Sequence, residues 1–86
     1  MNKDREKEVL ETIVSMCTEL NSLFSENSRL RNEYTKQSDI VETTQIFINI
    51  MVTQKKYEIL AKYLFHLAKI MDCEGFVNSA LTTDKE

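Results

Sequence analysis

The 86-residue chain contains no proline and no tryptophan, and Gly75 is its only glycine. Proline and glycine most often mark the turns between strands and the ends of short elements. A chain almost without them is built most simply from long helices with few connections. Glycine-rich phosphate-binding loops need several glycines, so we expect no nucleotide cofactor and no small-molecule substrate.

Cysteines and long apolar runs are also scarce. Cys17 and Cys73 are the only cysteines, and the charged start of the chain lacks the apolar core of a secretory signal. Two such thiols are expected to be reduced rather than bridged. The densest apolar run, residues 46–52, has seven residues, whereas a membrane-spanning helix needs about 20. We therefore expect a cytoplasmic protein without a membrane segment.

Side chains for catalysis or metal binding are few, and His66 is the only histidine. A catalytic nucleophile needs a nearby base and a group that orients that base, whereas a lone histidine within a helix is usually a packing residue. Tetrahedral zinc sites mostly use two close pairs of ligands. Cys17, His66 and Cys73 form neither a CxxC nor an HxxxH pattern. The sequence therefore predicts no catalytic, cofactor or metal site, and a protein that is not an enzyme.

The charge balance disfavours nucleic-acid binding. The formal net charge is −3, whereas nucleic-acid-binding domains are usually strongly basic. Lys55, Lys62 and Lys69 recur every seven residues, and such a stripe could follow a phosphate backbone. Glu58 interrupts it four residues before Lys62, in the favourable orientation for an ion pair within a helix. A stripe of this kind is typical of a solvated face, so we expect no nucleic-acid partner.

The apolar residues that are present follow a helical period. Steps of four and three residues connect a line that we name the seam: Ile46, Ile50, Thr53, Tyr57, Leu60, Leu64, Leu67 and Met71. A period of about 3.5 residues, rather than 2, predicts a long helix packed against other helices. The register is the same before and after Thr53, so we expect this helix to be continuous there.

The pattern predicts an all-α fold, an antiparallel helical hairpin with a short third helix in a single domain. The expected segments are a helix over about residues 4–36, a second over about 40–72, a third over about 76–81 and a frayed polar tail at 82–86. The apolar face of the first helix is centred on Ile13, Cys17, Leu20 and Phe24. The connection between the long helices is short, which favours antiparallel neighbours.

Two polar residues compete to begin the second helix, and a glycine is expected to end it. Asp39 with Glu42 three residues later has the form of a capping box. Ser38 is the competing cap. Gly75 lies just past the last residue of the seam, where a left-handed glycine commonly ends a helix.

Two further polar residues occupy positions where an apolar residue would fit. Asn27 lies on the apolar face of the first helix, and Thr53 interrupts the seam. A buried asparagine between helices can fix their register and the number of partners, at a cost in stability. The alternative is that the first helix is simply exposed at Asn27. Our hypothesis is that both residues set the register.

The second helix carries more apolar residues than one partner helix can cover. Those that we expect to form a protein interface are Ile46, Phe47, Met51, Val52, Ile59, Tyr63 and Ile70. Soluble monomers rarely expose so large a patch, and closed two-fold dimers are the commonest oligomers. We therefore predict a homodimer of hairpins with a four-helix core. The competing outcome is a monomeric bundle in which the third helix covers this face.

Long amphipathic helices with surplus apolar surface are typical of proteins that bind other helices. The function that we favour is that of a non-enzymatic adaptor or assembly subunit, acting through protein–protein interaction. The alternative is a small regulator that masks a surface on another protein, such as a virus- or secretion-associated inhibitor or chaperone.

Overall fold

The computed structural model describes residues 3–81, which form three α-helices and no strand. The helices are α1 (Lys3–Lys36), α2 (Ile40–Ile70) and α3 (Glu74–Ala80). The predicted all-α hairpin with a short third helix is confirmed. The second helix ends two residues earlier than expected, and the third begins two residues earlier. The expected tail at 82–86 lies outside the described residues.

The two long helices are antiparallel. Three residues connect α1 to α2, and pairs that touch across the hairpin keep a nearly constant sum of residue numbers. Asn27 contacts Thr53, and Tyr34 contacts Phe47. The 31 residues of α2 continue through Thr53 without a break, as predicted, over a length of about 46 Å.

Asp39, rather than Ser38, caps α2. Its Oδ1 accepts hydrogen bonds from the backbone N–H groups of Val41 at 2.8 Å and Glu42 at 3.4 Å. The other half of the expected capping box is made by a different residue, because Oε1 of Gln37 accepts from the backbone N–H of Asp39. The predicted helix start is therefore confirmed, with Gln37 in the role expected of Glu42.

The seam faces α1, and all eight of its residues are buried or half-buried. Two separate clusters form the core. The larger one, near α3, contains Ile13, Cys17, Leu20, Leu64, Ala68 and Val77. The smaller one, near the hairpin connection, contains Leu30, Ile46 and Ile50. We call these the proximal and distal clusters. Phe24, expected within the buried face of α1, is 37% exposed.

The turn after α2 uses Asp72, rather than Gly75, as its left-handed residue. Asp72 has a φ of 56°, whereas Gly75 lies inside α3 without a positive φ. The backbone N–H of Asp72 donates to the Lys69 carbonyl at 3.2 Å, and that of Cys73 donates to the Ala68 carbonyl at 2.9 Å. These two bonds are the Schellman arrangement that ends many helices. The expectation that Gly75 ends α2 is therefore wrong.

Two substitutions, one inside α3 and one in the turn before it, should stabilise the protein. Gly75→Ala is expected to raise the free energy of unfolding by about 0.5–1 kcal/mol, because alanine favours the helix and its Cβ would meet no atom within 4 Å. Asp72→Gly should add about 1 kcal/mol by relieving the left-handed conformation and removing a negative charge from a helix C-terminus. Urea unfolding followed by circular dichroism measures both changes. If Gly75→Ala lowered the free energy of unfolding, that result would favour the interpretation that Gly75 ends α2.

Candidate protein-interaction surface

The outward face of α2 is not covered by α3. The side-chain amide of Asn21 donates to the carbonyl of Ala80 at 3.0 Å, which fixes α3 against α1. Ile59, Tyr63 and Ile70 remain 48%, 60% and 64% exposed. The three-helix arrangement that would cover this face is therefore not the one that residues 3–81 adopt.

Six of the seven predicted interface residues are exposed, and one is not. Ile46 is 7% exposed and lies in the distal cluster with Leu30 and Ile50. Its side chain packs inside the hairpin, so Ile46 does not belong to an outward-facing surface. The exposed six are Phe47, Met51, Val52, Ile59, Tyr63 and Ile70.

The exposed apolar residues nearest the hairpin connection form a surface that we name the distal patch. Its members are Ile40, Val41, Phe47, Ile48, Met51 and Val52. No charged residue lies between Glu42 and Lys55, and Glu42 lines a groove on the other side of α2 together with residues of α1. The members of the distal patch are all apolar, and charge meets the patch only at its end, where Lys55 and Glu58 share a groove with Met51 and Val52.

The distal patch also reaches onto α1. The rings of Tyr34 and Phe47 lie with their centroids 6.2 Å apart and their planes tilted by 43°. Ile40, Val41 and Ile48 were not among the predicted interface residues, although they are 47–78% exposed. The uncharged run at residues 43–54 is the sequence signal that could have identified this half of α2.

The distal patch leaves a large apolar area exposed for a soluble monomer. From the exposed fractions of its six side chains, we estimate roughly 600 Å² of open apolar surface, the upper end of what soluble monomers leave exposed. A stable interface takes about 800 Å² from each partner. The distal patch with its polar rim is therefore large enough for one interface.

The exposed residues nearer α3 form a second surface, which we name the proximal stripe: Ile59, Tyr63 and Ile70. Charged residues flank this surface along its length, whereas the distal patch meets Lys55 and Glu58 only at its end. Lys62 and Lys69 line an open groove of about 550 Å³ together with Tyr63, Phe65, His66 and Glu74. The two surfaces lie on one helix and differ in how much charge runs beside them.

The lysines beside the proximal stripe have no ion-pair partner within residues 3–81. The expected pair between Glu58 and Lys62 is not formed, and the Glu58 carboxylate instead accepts a hydrogen bond from Nε2 of Gln54 at 3.3 Å. The ion pairs that are present lie on α1, where Arg29 contacts the carboxylates of Glu26 and Glu33. The ammonium groups of Lys55, Lys62 and Lys69 are therefore unpaired within the described part of the chain, although Glu58 and Glu74 line the same grooves.

Asn27 and Thr53 meet in a polar layer between the two clusters. Nδ2 of Asn27 donates to Oγ1 of Thr53 at 2.8 Å and to the carbonyl of Ile50 at 3.1 Å. The Thr53 hydroxyl donates to the same carbonyl at 3.1 Å. Arg31 donates to Oδ1 of Asn27 and to the side chain of Gln54. The structure brings the two residues together, and their register-setting role stays a prediction.

The two cysteines, distant in the sequence, belong to one part of the core. Cys17 is buried in the proximal cluster, and Cys73 packs against that cluster from the start of α3. Both are free thiols. Burial raises the pKa of the Cys17 thiol, and the nearby Cys73 raises it further. Since the thiolate is the nucleophilic form, Cys17 is the less reactive of the pair.

Alkylation with iodoacetamide at pH 8 should therefore modify Cys73 first and Cys17 only after unfolding. Equal alkylation rates for the two thiols would contradict the burial of Cys17.

The raised pKa of Cys17 also makes the free energy of unfolding depend on pH, because Cys17 holds its proton more tightly in the folded state. The contribution of Cys17 to stability is complete below the ordinary pKa of 9.0 and is lost as the pH rises through the folded value. Measuring the free energy of unfolding at pH 7 and pH 10, with Cys17→Ala as the control, isolates this loss.

Three further sources of information on function are metal sites, membrane-spanning helices and similar proteins. No three histidine, cysteine, aspartate or glutamate side chains there are grouped to hold a metal ion. None of the described helices combines the length and apolar content needed to cross a membrane. Comparison of the chain with protein-family models, curated proteins and solved structures finds no match. The distal patch and the proximal stripe are therefore the features from which a function can be inferred.

Proposed function

We propose that the protein is a non-enzymatic adaptor or assembly subunit, in which two copies pair through their distal patches. One observation carries this proposal: the distal patch combines six exposed apolar side chains with a run of twelve uncharged residues, 43–54. Burial of apolar surface is the main favourable term in most protein–protein association. Such a surface is stabilised when a second apolar surface covers it.

The lack of charge favours a second copy as the occupant. In a two-fold dimer the same patch of both subunits meets, so a patch that carries one sign of charge faces the same sign on the other copy. Like charges brought together in this way oppose association. Pairing across the uncharged residues 43–54 brings none together, whereas pairing through the proximal stripe would bring Lys62 and Lys69 of both copies into one interface.

Pairing of the distal patches would leave the far end of each hairpin free. The hairpin is 55 Å long, and the distal patch covers residues 40–52 of α2, next to the connection. Two copies would share a four-helix core at that end, and the proximal stripes would stay exposed. A dimer of this form presents two identical free surfaces, which suits an adaptor.

Light scattering on a size-exclusion column tests the proposal. The wild-type chain should have a mass of about 20 kDa, twice the 10.1 kDa of one chain, at tens of micromolar. Phe47→Glu with Met51→Glu should reduce it to that of one chain, because four carboxylates would meet in the interface. Ile59→Glu with Tyr63→Glu is the matched control, and this variant should remain a dimer.

Two results would contradict the proposal. A wild-type mass near 10.1 kDa would show that the distal patch is not covered by a second copy. Dissociation of the Ile59 and Tyr63 variant, with the Phe47 and Met51 variant still paired, would place the interface on the proximal stripe. Circular dichroism of both variants checks that the hairpin stays folded, which is expected because all four side chains are partly exposed.

A further inference from the structure

We infer that the proximal stripe is a docking site for an acidic amphipathic helix of another protein. The inference deepens the proposed function, because it names the kind of partner that each copy would recruit once the distal patches are paired. It rests on that proposal only in requiring that the second copy leave the proximal stripe uncovered. The docking of the helix itself depends on the side chains of one copy.

The apolar part of the site is a line along α2. Ile59, Tyr63 and Ile70 are spaced by four and seven residues, so they follow one face of the helix over about 17 Å. Phe65, 36% exposed, contributes to the groove beside this line. Apolar anchors at helical spacing on a partner match such a line, which is the usual way in which one amphipathic helix binds another.

The charged part of the site specifies the partner. Lys55, Lys62 and Lys69 run along one edge of the stripe at intervals of seven residues. Glu58 lies beside Lys55 and Glu74 lies in the groove of Lys62 and Lys69, so the edge has three positive charges and two negative ones. A partner helix with carboxylates at the same interval could place one beside each ammonium group, as residues flanking the apolar line do in coiled coils. None of these lysines is paired within residues 3–81. The partner would therefore displace no existing ion pair.

Extended anionic surfaces fit the site less well than a single helix. A bilayer or a nucleic acid would interact with the molecule as a whole, which has a net charge of −3. Glu8, Glu11 and Glu19 line an acidic groove on α1 and would repel such a surface. A single helix contacts only the stripe and its lysines. The charge distribution therefore favours an acidic helix.

A pair of synthetic peptides tests this inference on the full chain. The probe is a fluorescent helix of about four heptads with leucine at the apolar positions and glutamate at the flanking ones. The matched probe has lysine in place of every glutamate. Fluorescence anisotropy at low and high salt measures binding. We expect the glutamate probe to bind, with an affinity that falls as salt rises, and the lysine probe to bind at least tenfold more weakly.

Charge reversal on the protein gives the complementary result. Lys55→Glu, Lys62→Glu and Lys69→Glu together should weaken binding of the glutamate probe roughly tenfold, as expected for three exposed ion pairs, and should strengthen binding of the lysine probe. The matched control reverses three lysines on α1 (Lys3, Lys7 and Lys36), which changes net charge equally. This control should still bind the glutamate probe more tightly than the lysine probe, as the wild type does. Circular dichroism confirms that each variant is folded.

Three outcomes would overturn the inference. The first is no binding of the glutamate probe, or equal binding of both probes. The second is an equal loss of glutamate-probe binding in the α1 control, which would show that the probe responds to the net charge of the protein and not to the stripe lysines. The third is binding to phosphatidylserine vesicles or duplex nucleic acid, lost on reversal of the stripe lysines, without binding of the glutamate probe. A wild type that binds the glutamate probe but has the mass of one chain would refute only the pairing of distal patches.

Discussion

Leu64→Ala is expected to lower the free energy of unfolding by about 3–5 kcal/mol, the cost of removing a fully buried leucine from a well-packed core. Leu64 is 0% exposed and lies in the proximal cluster, where α1, α2 and α3 all contribute buried residues. Native domains are stable by only about 5–15 kcal/mol. We therefore expect this variant to be substantially unfolded near 37 °C.

Leu10→Ala is the matched control for this prediction. The same atoms are removed, but Leu10 is 40% exposed, so the expected loss is below about 1 kcal/mol. Urea unfolding at one protein concentration measures both, since association adds to apparent stability. Equal losses for the two variants would show that the proximal cluster is not the main core.

The polar layer should respond in opposite directions to two substitutions. Asn27→Ala is expected to lower the free energy of unfolding by about 1–3 kcal/mol, because it removes the donor to Thr53 and the acceptor for Arg31. Asn27→Leu with Thr53→Val should instead be neutral or stabilising by about 1 kcal/mol, since both partners of the part-buried bond are replaced and the exposed Arg31 can turn to water. The double change would also join the proximal and distal clusters into one apolar core.

The same double variant tests the register-setting hypothesis. If the Asn27–Thr53 contact selects one alignment of the helices, an apolar layer should permit others, and the protein should lose uniqueness while it keeps its stability. We expect broadened amide resonances and a mixture of masses in light scattering. Sharp resonances, a single mass and higher stability would show that the layer does not set the register.

The inner face of the hairpin could be predicted from the sequence because one period continues through α2. The seam residues from Ile46 to Met71 all face inward, and Asp39 begins the helix as its side chain chemistry predicts. Apolar spacing reports which residues share a face, and a cap reports where a helix starts. Both signals are local, so no knowledge of the partner helix was needed.

The end of α2 could not be predicted because two residues can take the left-handed position. Glycine adopts it at no steric cost, which made Gly75 the obvious stop. Asp72 adopts it instead, one residue after the helical cap Met71, and leaves Gly75 free to join α3. The neighbouring positions of Cys17 and Cys73 depend on the direction in which α3 folds back, which is a tertiary feature.

The meeting of Asn27 with Thr53 was within reach of sequence reasoning. A three-residue connection brings Asn27 to within about one helical turn of Thr53, and the structure shows that the two side chains touch. The division of the outward face into two surfaces needed the structure. The burial of Ile46 removes this residue from the outward face. The absence of a Glu58–Lys62 ion pair leaves Lys62, beside the proximal stripe, unpaired within residues 3–81.

Photo-crosslinking tests the central claim, that a second copy covers the distal patch, most directly. Benzoylphenylalanine in place of Phe47 should, on irradiation, yield a covalent species of twice the 10.1 kDa chain mass. Mass spectrometry should locate the new bonds in residues 40–52 of the other copy. The same group in place of Tyr63 should leave single chains. Only single chains from the Phe47 position, or covalent dimers from the Tyr63 position alone, would contradict the claim.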